Sequence, residues 1–149
     1  MEKVQLAGLY REKGCNCAQA VLCAFCSDFG LDERMALRMA TGFGAGMGRM
    51  GEVCGALTGG FLVIGLKYGR TTTGGAQSAA ESEKTAARVA ELSRRFRERH
   101  GSILCRELTG LDLSDPAQRQ RGVEEGIFHD RCGKYVRDSV EMLEQLLID

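Results

Sequence analysis

Seven cysteines stand at positions 15, 17, 23, 26, 54, 105 and 132 of this 149-residue chain. A thiolate is a nucleophile, a metal ligand and a redox centre, so these side chains carry most of the chemistry on offer. Four of them share one local setting. Asn16 precedes Cys17, a glycine run precedes Cys54, Ser102 precedes Cys105 and Asp130 precedes Cys132, which sets each at or near a predicted helix start. Free N–H groups and the positive end of the helix dipole at such starts favour a thiolate. Four helix starts facing one another would gather Cys17, Cys54, Cys105 and Cys132 into one pocket. The plainer alternative is that these are small side chains placed where helices pack.

Cys54 stands out among them. It follows the stretch GFGAGMGRMGEV and opens the apolar segment that ends at Leu66. Glycines at 42, 44, 46, 48 and 51 let the chain reach positive φ and let other groups approach closely. On this reading Cys54 is the most reactive thiolate, Cys17 its partner, and Arg49 a cation to hold the charge. The same glycines only superficially resemble a dinucleotide fingerprint, because Gly44-x-Gly46-x-x-Arg49 lacks the third glycine and no strand precedes it. No Walker lysine is present.

The other three thiols give weaker signals. Cys23-Ala24-Phe25-Cys26 spells C-x-x-C inside a predicted helix, with both sulfurs on one face, and reads as core rather than redox pair. Cys15 is two residues from Cys17 and is placed to act as a resolving thiol or an extra ligand. His100 and His129 read as exposed, and His129, three residues before Cys132, lies near the site.

Apolar spacing predicts the elements that would position these groups. Helices are expected over 2–12, 17–29, 33–40, 53–68, 77–100 and 103–108, then a short one opened by Pro116, and a last one over 130–147. Segment 53–68 is apolar almost all round, so it is expected to be a buried, glycine-rich central helix in a compact all-α bundle of six to seven helices. Its small residues, Gly55 with Gly59 and Ala56 with Gly60, stand four apart and let a neighbouring helix approach. The whole chain, 1–149, is expected to be one domain.

Composition narrows the function classes. Twenty basic residues balance twenty acidic ones, which argues against nucleic acid or an anionic membrane as a main partner. The longest apolar run is interrupted by glycines and too short to span a bilayer, and the N-terminal residues lack a signal peptide's apolar core. A cytoplasmic protein is expected. An odd cysteine count in a reducing compartment speaks against a permanent disulfide framework.

Set out in order, the cysteine-bearing segments are Asn16-Cys17-Ala18-Gln19-Ala20-Val21, the run from Gly46 to Gly59, Cys105-Arg106-Glu107-Leu108 and Arg131-Cys132. In this order they resemble the C_GCAxxG_C_C family of redox-active proteins, over nearly the whole chain. The label's G-C-A-x-x-G is written here as Val53-Cys54-Gly55-Ala56-x-x-Gly59. The resemblance implies redox activity and singles out four cysteines, 17, 54, 105 and 132, leaving Cys15, Cys23 and Cys26 outside the pattern.

Three readings follow. The first is a thiol redox protein that works through a mixed disulfide with an unidentified redox partner or small-molecule substrate, and is a thiol–disulfide oxidoreductase if it is an enzyme. The second is a binding protein in which Cys17, Cys54, Cys105 and Cys132 hold an iron–sulfur cluster or zinc. The spacing C-x36-C-x50-C-x26-C lacks the short loops such sites generally use. The third is a helical module in which the cysteines only pack and the small-residue face builds a homo-oligomer.

Overall fold

The computed structural model describes residues 1–148. Within them the chain is all helical, in the order α1 (Lys3–Glu12), α2 (Cys17–Phe25), α3 (Glu33–Thr41), α4 (Gly55–Tyr68), α5 (Ala76–His100), α6 (Cys105–Thr109), α7 (Pro116–Glu124) and α8 (Ile127–Leu146). The expected 17–29 helix is two pieces: after Phe25 the chain tightens into a 3₁₀ turn, Cys26–Phe29, and stops at Gly30. Elsewhere the bounds differ from expectation by a residue or two, except in α8. That helix begins at Ile127, three residues earlier than expected, after Gly126 in the left-handed conformation.

Local chemistry explains the starts. Asn16 caps α2 by accepting from the Gln19 N–H at 2.8 Å, and the Gln19 side chain returns a bond to the Asn16 N–H at 3.0 Å. Asp32 caps α3 and Asp115 caps α7, where Pro116 takes the first helical position. Ser102 does not cap a helix over 103–108. Its hydroxyl accepts from the Leu104 N–H two residues on, and α6 begins only at Cys105.

The core lies where α4 meets α2, α5 and α8. Leu22, Leu57, Ile64, Leu92, Phe96, Val140 and Leu143 are fully buried there. Glycine makes the approach possible. A Cβ on Gly59 would lie 2.6 Å from the Ala18 carbonyl oxygen, and one on Gly55 3.1 Å from Cys17 Cβ. Gly60 faces Leu92 of α5 and Leu143 of α8 instead. A half-buried strip, Phe61, Leu62 and Leu66, flanks the buried positions of α4. Ser139 ties α8 to α4 by donating to the Ala56 carbonyl at 2.7 Å. A smaller apolar cluster of Cys105, Leu111, Leu113 and Ile127 sits under the loop between α6 and α7.

Candidate functional site

Cys17, Cys54, Cys105 and Cys132 line one cavity of about 180 Å³. Each arrives by its own device. Cys17 is the first residue of α2 and is held there by the Asn16–Gln19 capping box. That box is itself anchored to α3: Gln19 Nε2 donates to the Leu37 carbonyl at 3.0 Å and Asn16 Nδ2 to the Thr41 carbonyl at 3.2 Å. Cys54 is the residue before the first turn of α4, its N-cap rather than a residue inside it.

Cys54 and Cys105 are brought together by a single antiparallel bridge between Val53 and Leu104. The Cys54 N–H donates to the Ile103 carbonyl at 2.8 Å and the Cys105 N–H to the Glu52 carbonyl at 2.7 Å. Two segments thus pair briefly and then turn into α4 and α6, each carrying its cysteine at the point of departure. Cys132 comes by a different route. It is the sixth residue of α8, in the second helical turn, so the expected helix-start setting does not apply to it.

The glycine run closes the cavity from above. Five successive residues, Ala45 to Arg49, have φ between 54° and 68°, which makes a short left-handed turn. Three of them, Ala45, Met47 and Arg49, are not glycine, and a Cβ in this conformation costs about 1–2 kcal/mol per residue. Ala45 and Gly46 line the cavity. A Cβ on Gly46 would lie 2.7 Å from Cys105 Cβ and 2.6 Å from the Glu52 nitrogen, so the turn can sit directly on Cys105 only with glycine there.

All seven cysteines are free thiols. Three site cysteines are nearly closed off, with exposures of 5 % for Cys54, 7 % for Cys105 and 8 % for Cys132, whereas Cys17 is partly exposed as a residue although its thiol is buried in the cavity. Their acidities diverge. A hydrogen bond from Cys132 pulls Cys17 down to about 7, against the cost of burial, and the Arg11 charge and its own N–H add to the effect. The same hydrogen bond pushes Cys132 up, and burial reinforces it. Burial, then the neighbouring Cys17 charge, pushes Cys105 up to about 11. Cys54 also moves up, chiefly by burial, although the first amides of α4 oppose the shift. At Cys54, expected to be the most reactive thiolate, burial works against the helix-start effect, whereas at Cys17 the neighbouring groups outweigh it.

The cations that line the thiol cavity are Arg11 and Arg119, not Arg49, and of these it is Arg11 whose charge lowers the Cys17 pKa. Arg49 is exposed on the left-handed turn and does not line the cavity. Arg11 reaches in from the end of α1, and its guanidinium donates to the Phe128 carbonyl at 2.7 Å and the Cys15 carbonyl at 3.2 Å. Nothing local marks it, because its place depends on α1 packing against α8. Tyr135 and Phe128 of α8 also line the cavity, and Tyr135 Oη donates to the Leu108 carbonyl at 2.9 Å.

The other sequence candidates lie elsewhere. Cys23 and Cys26 are buried on α2 and the 3₁₀ turn, and Cys26 Sγ donates to the Cys23 carbonyl at 3.4 Å. Burial raises Cys23 to about 12 and also raises Cys26 and Cys15. His129 is exposed and outside the thiol cavity. His100, expected on the surface, has a side chain only 7 % exposed. It is held between Phe96 and Tyr135 and stands 2.9 Å from Asp138 Oδ2 without hydrogen-bond alignment.

Among the described residues no three His, Cys, Asp or Glu side chains form a group able to hold a metal ion. The arrangement suits sulfur–sulfur chemistry, with Cys17 drawn to lower pKa and three thiols held protonated in the same cavity.

No curated protein and no solved structure matches the chain. A family model does match, over residues 15–146, and its description reads "Putative redox-active protein (C_GCAxxG_C_C)". That span includes all four cavity cysteines and the Cys54-Gly55-Ala56-x-x-Gly59 segment whose glycines bring α4 onto α2, and the chain belongs to the C_GCAxxG_C_C family of redox-active proteins.

Proposed function

We propose that this chain is a single-domain thiol–disulfide exchange protein in which Cys17 is the nucleophile and Cys132 the resolving thiol. The observations that support this most directly are that Cys17 and Cys132 line the same cavity and that Cys17 is the least buried residue of the four cysteines there. The Cys17 thiolate attacks one sulfur of a disulfide R–S–S–R. The Cys17–S–S–R bond forms, the substrate S–S bond breaks, and R–S⁻ leaves. Cys132 then attacks Cys17 Sγ, and its proton goes to the second departing R–S⁻. The protein is left with a Cys17–Cys132 disulfide, so two protein thiols are oxidised and one substrate disulfide is reduced to two thiols. The reverse exchange, with two thiols as reductant, restores the starting state.

Arg11 stabilises the Cys17 thiolate, and Cys54 and Cys105 complete the cavity as further exchange partners. The cytoplasm, where thiols are kept reduced, is the compartment in which such a cycle turns over. None of the described helices is long and apolar enough to cross a membrane.

The test is to trap the first intermediate. Cys132→Ser treated with a small disulfide is expected to accumulate one mixed adduct on Cys17, seen by mass spectrometry of the intact chain and its peptides. The wild-type chain is expected to pass through that adduct to an internal disulfide. An adduct that first builds up on Cys54 or Cys105, or none at all, contradicts the reading.

A further inference from the structure

A second hollow of about 440 Å³ lies beside the thiol cavity, between α1 and α8. That volume is in the range of small-molecule sites, about 300–1,000 Å³. Gly8 of α1 and Gly133 of α8 line it from opposite sides. Both lie inside helices, where glycine is less favourable than alanine. Neither is required by contacts within the chain: a Cβ on either would meet nothing within 4 Å. They differ in this from Gly55 and Gly59, whose missing side chains let α4 touch α2. What Gly8 and Gly133 keep open is the groove itself.

The groove is biased toward anions. Arg11 and Arg137 line it against one carboxylate, Glu12. Arg137 stands 3.6 Å from Asp138, and His129, also on the rim, bonds to Asp130 at 2.9 Å. Arg11 gives its hydrogen bonds to two carbonyls, and its charge is felt both at Cys17 and in the groove it lines. Arg11 and Phe128 also line the thiol cavity, so they form the wall common to the two hollows. A molecule lying in the groove therefore ends next to the cavity that holds Cys17.

We propose that this groove seats the anionic arm of a low-molecular-weight disulfide whose S–S bond is presented to Cys17 past Arg11 and Phe128. The proposal rests on the exchange reading above and names its substrate class. The step is the one already written: the disulfide bond breaks, one half joins Cys17 and the other leaves as a thiolate.

The experiment compares two probes with the full chain at neutral pH, glutathione disulfide as the anionic one and bis(2-hydroxyethyl) disulfide as the neutral one. Iodoacetamide reports the intrinsic reactivity of Cys17. Gly133→Leu and Gly8→Leu fill the groove from either wall, and Arg137→Glu reverses a charge on its exposed rim. Each is expected to lower the rate constant for glutathione disulfide about tenfold, with the neutral disulfide and iodoacetamide within twofold of wild type. The melting temperature of the leucine variants is expected to hold or rise, because open space receives the new side chains. Rates unchanged for both probes, or lowered equally for both, overturn the groove assignment and leave the exchange reading standing. A wild-type Cys17 that alkylates quickly yet exchanges with neither disulfide overturns the exchange reading, and the groove assignment falls with it.

Discussion

Cys17 and Cys132 divide one proton between two sulfurs, and their surroundings decide which sulfur gives it up. Cys17 has the first turn of α2 and the Arg11 charge, while Cys132 lies in the second turn of α8, away from the free amides of a helix start. A thiolate at Cys17 that receives the Cys132 hydrogen bond is the arrangement with least uncompensated charge. Arg11 acts through Cys17 rather than on a substrate sulfur, which makes it a positioning residue. Arg11→Met is expected to move the Cys17 alkylation midpoint to higher pH and to slow alkylation at neutral pH, and Arg11→Lys to restore most of the rate. Measurement of the rate across pH checks this: a midpoint unmoved in Arg11→Met would assign the cation a purely structural role.

Elements turn these residue properties into a site. The bridge at Val53–Leu104 aligns the starts of α4 and α6, and the Gly55 and Gly59 pair lets α4 lie against Cys17 and Ala18. Gly59→Ala would press a methyl to 2.6 Å from the Ala18 carbonyl oxygen, so α2 and α4 must part. The expected cost is about 1–3 kcal/mol in denaturant unfolding, with a slower Cys17 as α2 moves off. Stability equal to wild type would show that the crossing is looser than described. Much of this scale was readable from residue types. The Asn16 cap, Pro116 at a helix start and the small-residue spacing of α4 are local signals, and each appears where it was expected. The left-handed turn was not readable, because glycines only permit positive φ, and Ala45, Met47 and Arg49 adopt it under the pull of their surroundings. The early start of α8 was missed because Ile127 and Phe128 take their places through the small cluster beneath the α6–α7 loop.

Across the whole molecule, α8 connects the thiols to the rest of the core. It carries Cys132, it carries Tyr135 into the cavity wall, and through Asp138 it meets His100 at the end of α5. Arg11 and His100 escaped the sequence reading for one reason: each takes its role from a helix distant in the chain, and no periodicity encodes that pairing. Burial lowers the His100 pKa from 6.5, and the Asp138 charge only partly opposes it. A neutral group in the fold that protonates more readily when unfolded contributes stability above pH 6.5, lost as pH falls below it toward the lowered value. Replacement of His100 by Gln is expected to flatten the fall in unfolding free energy below pH 6.5, as urea titrations at several pH values would show. An acid limb as steep as wild type would mean that other groups govern it.

The account depends above all on Cys17 being the most acidic thiol of the four. Its alkylation rate, followed by peptide mass spectrometry across pH, measures that directly. The account predicts a midpoint near 7 for Cys17, with Cys54, Cys105 and Cys132 unreactive until far higher pH. A Cys17 that titrates like an ordinary thiol, or a Cys54 that reacts first, would contradict it.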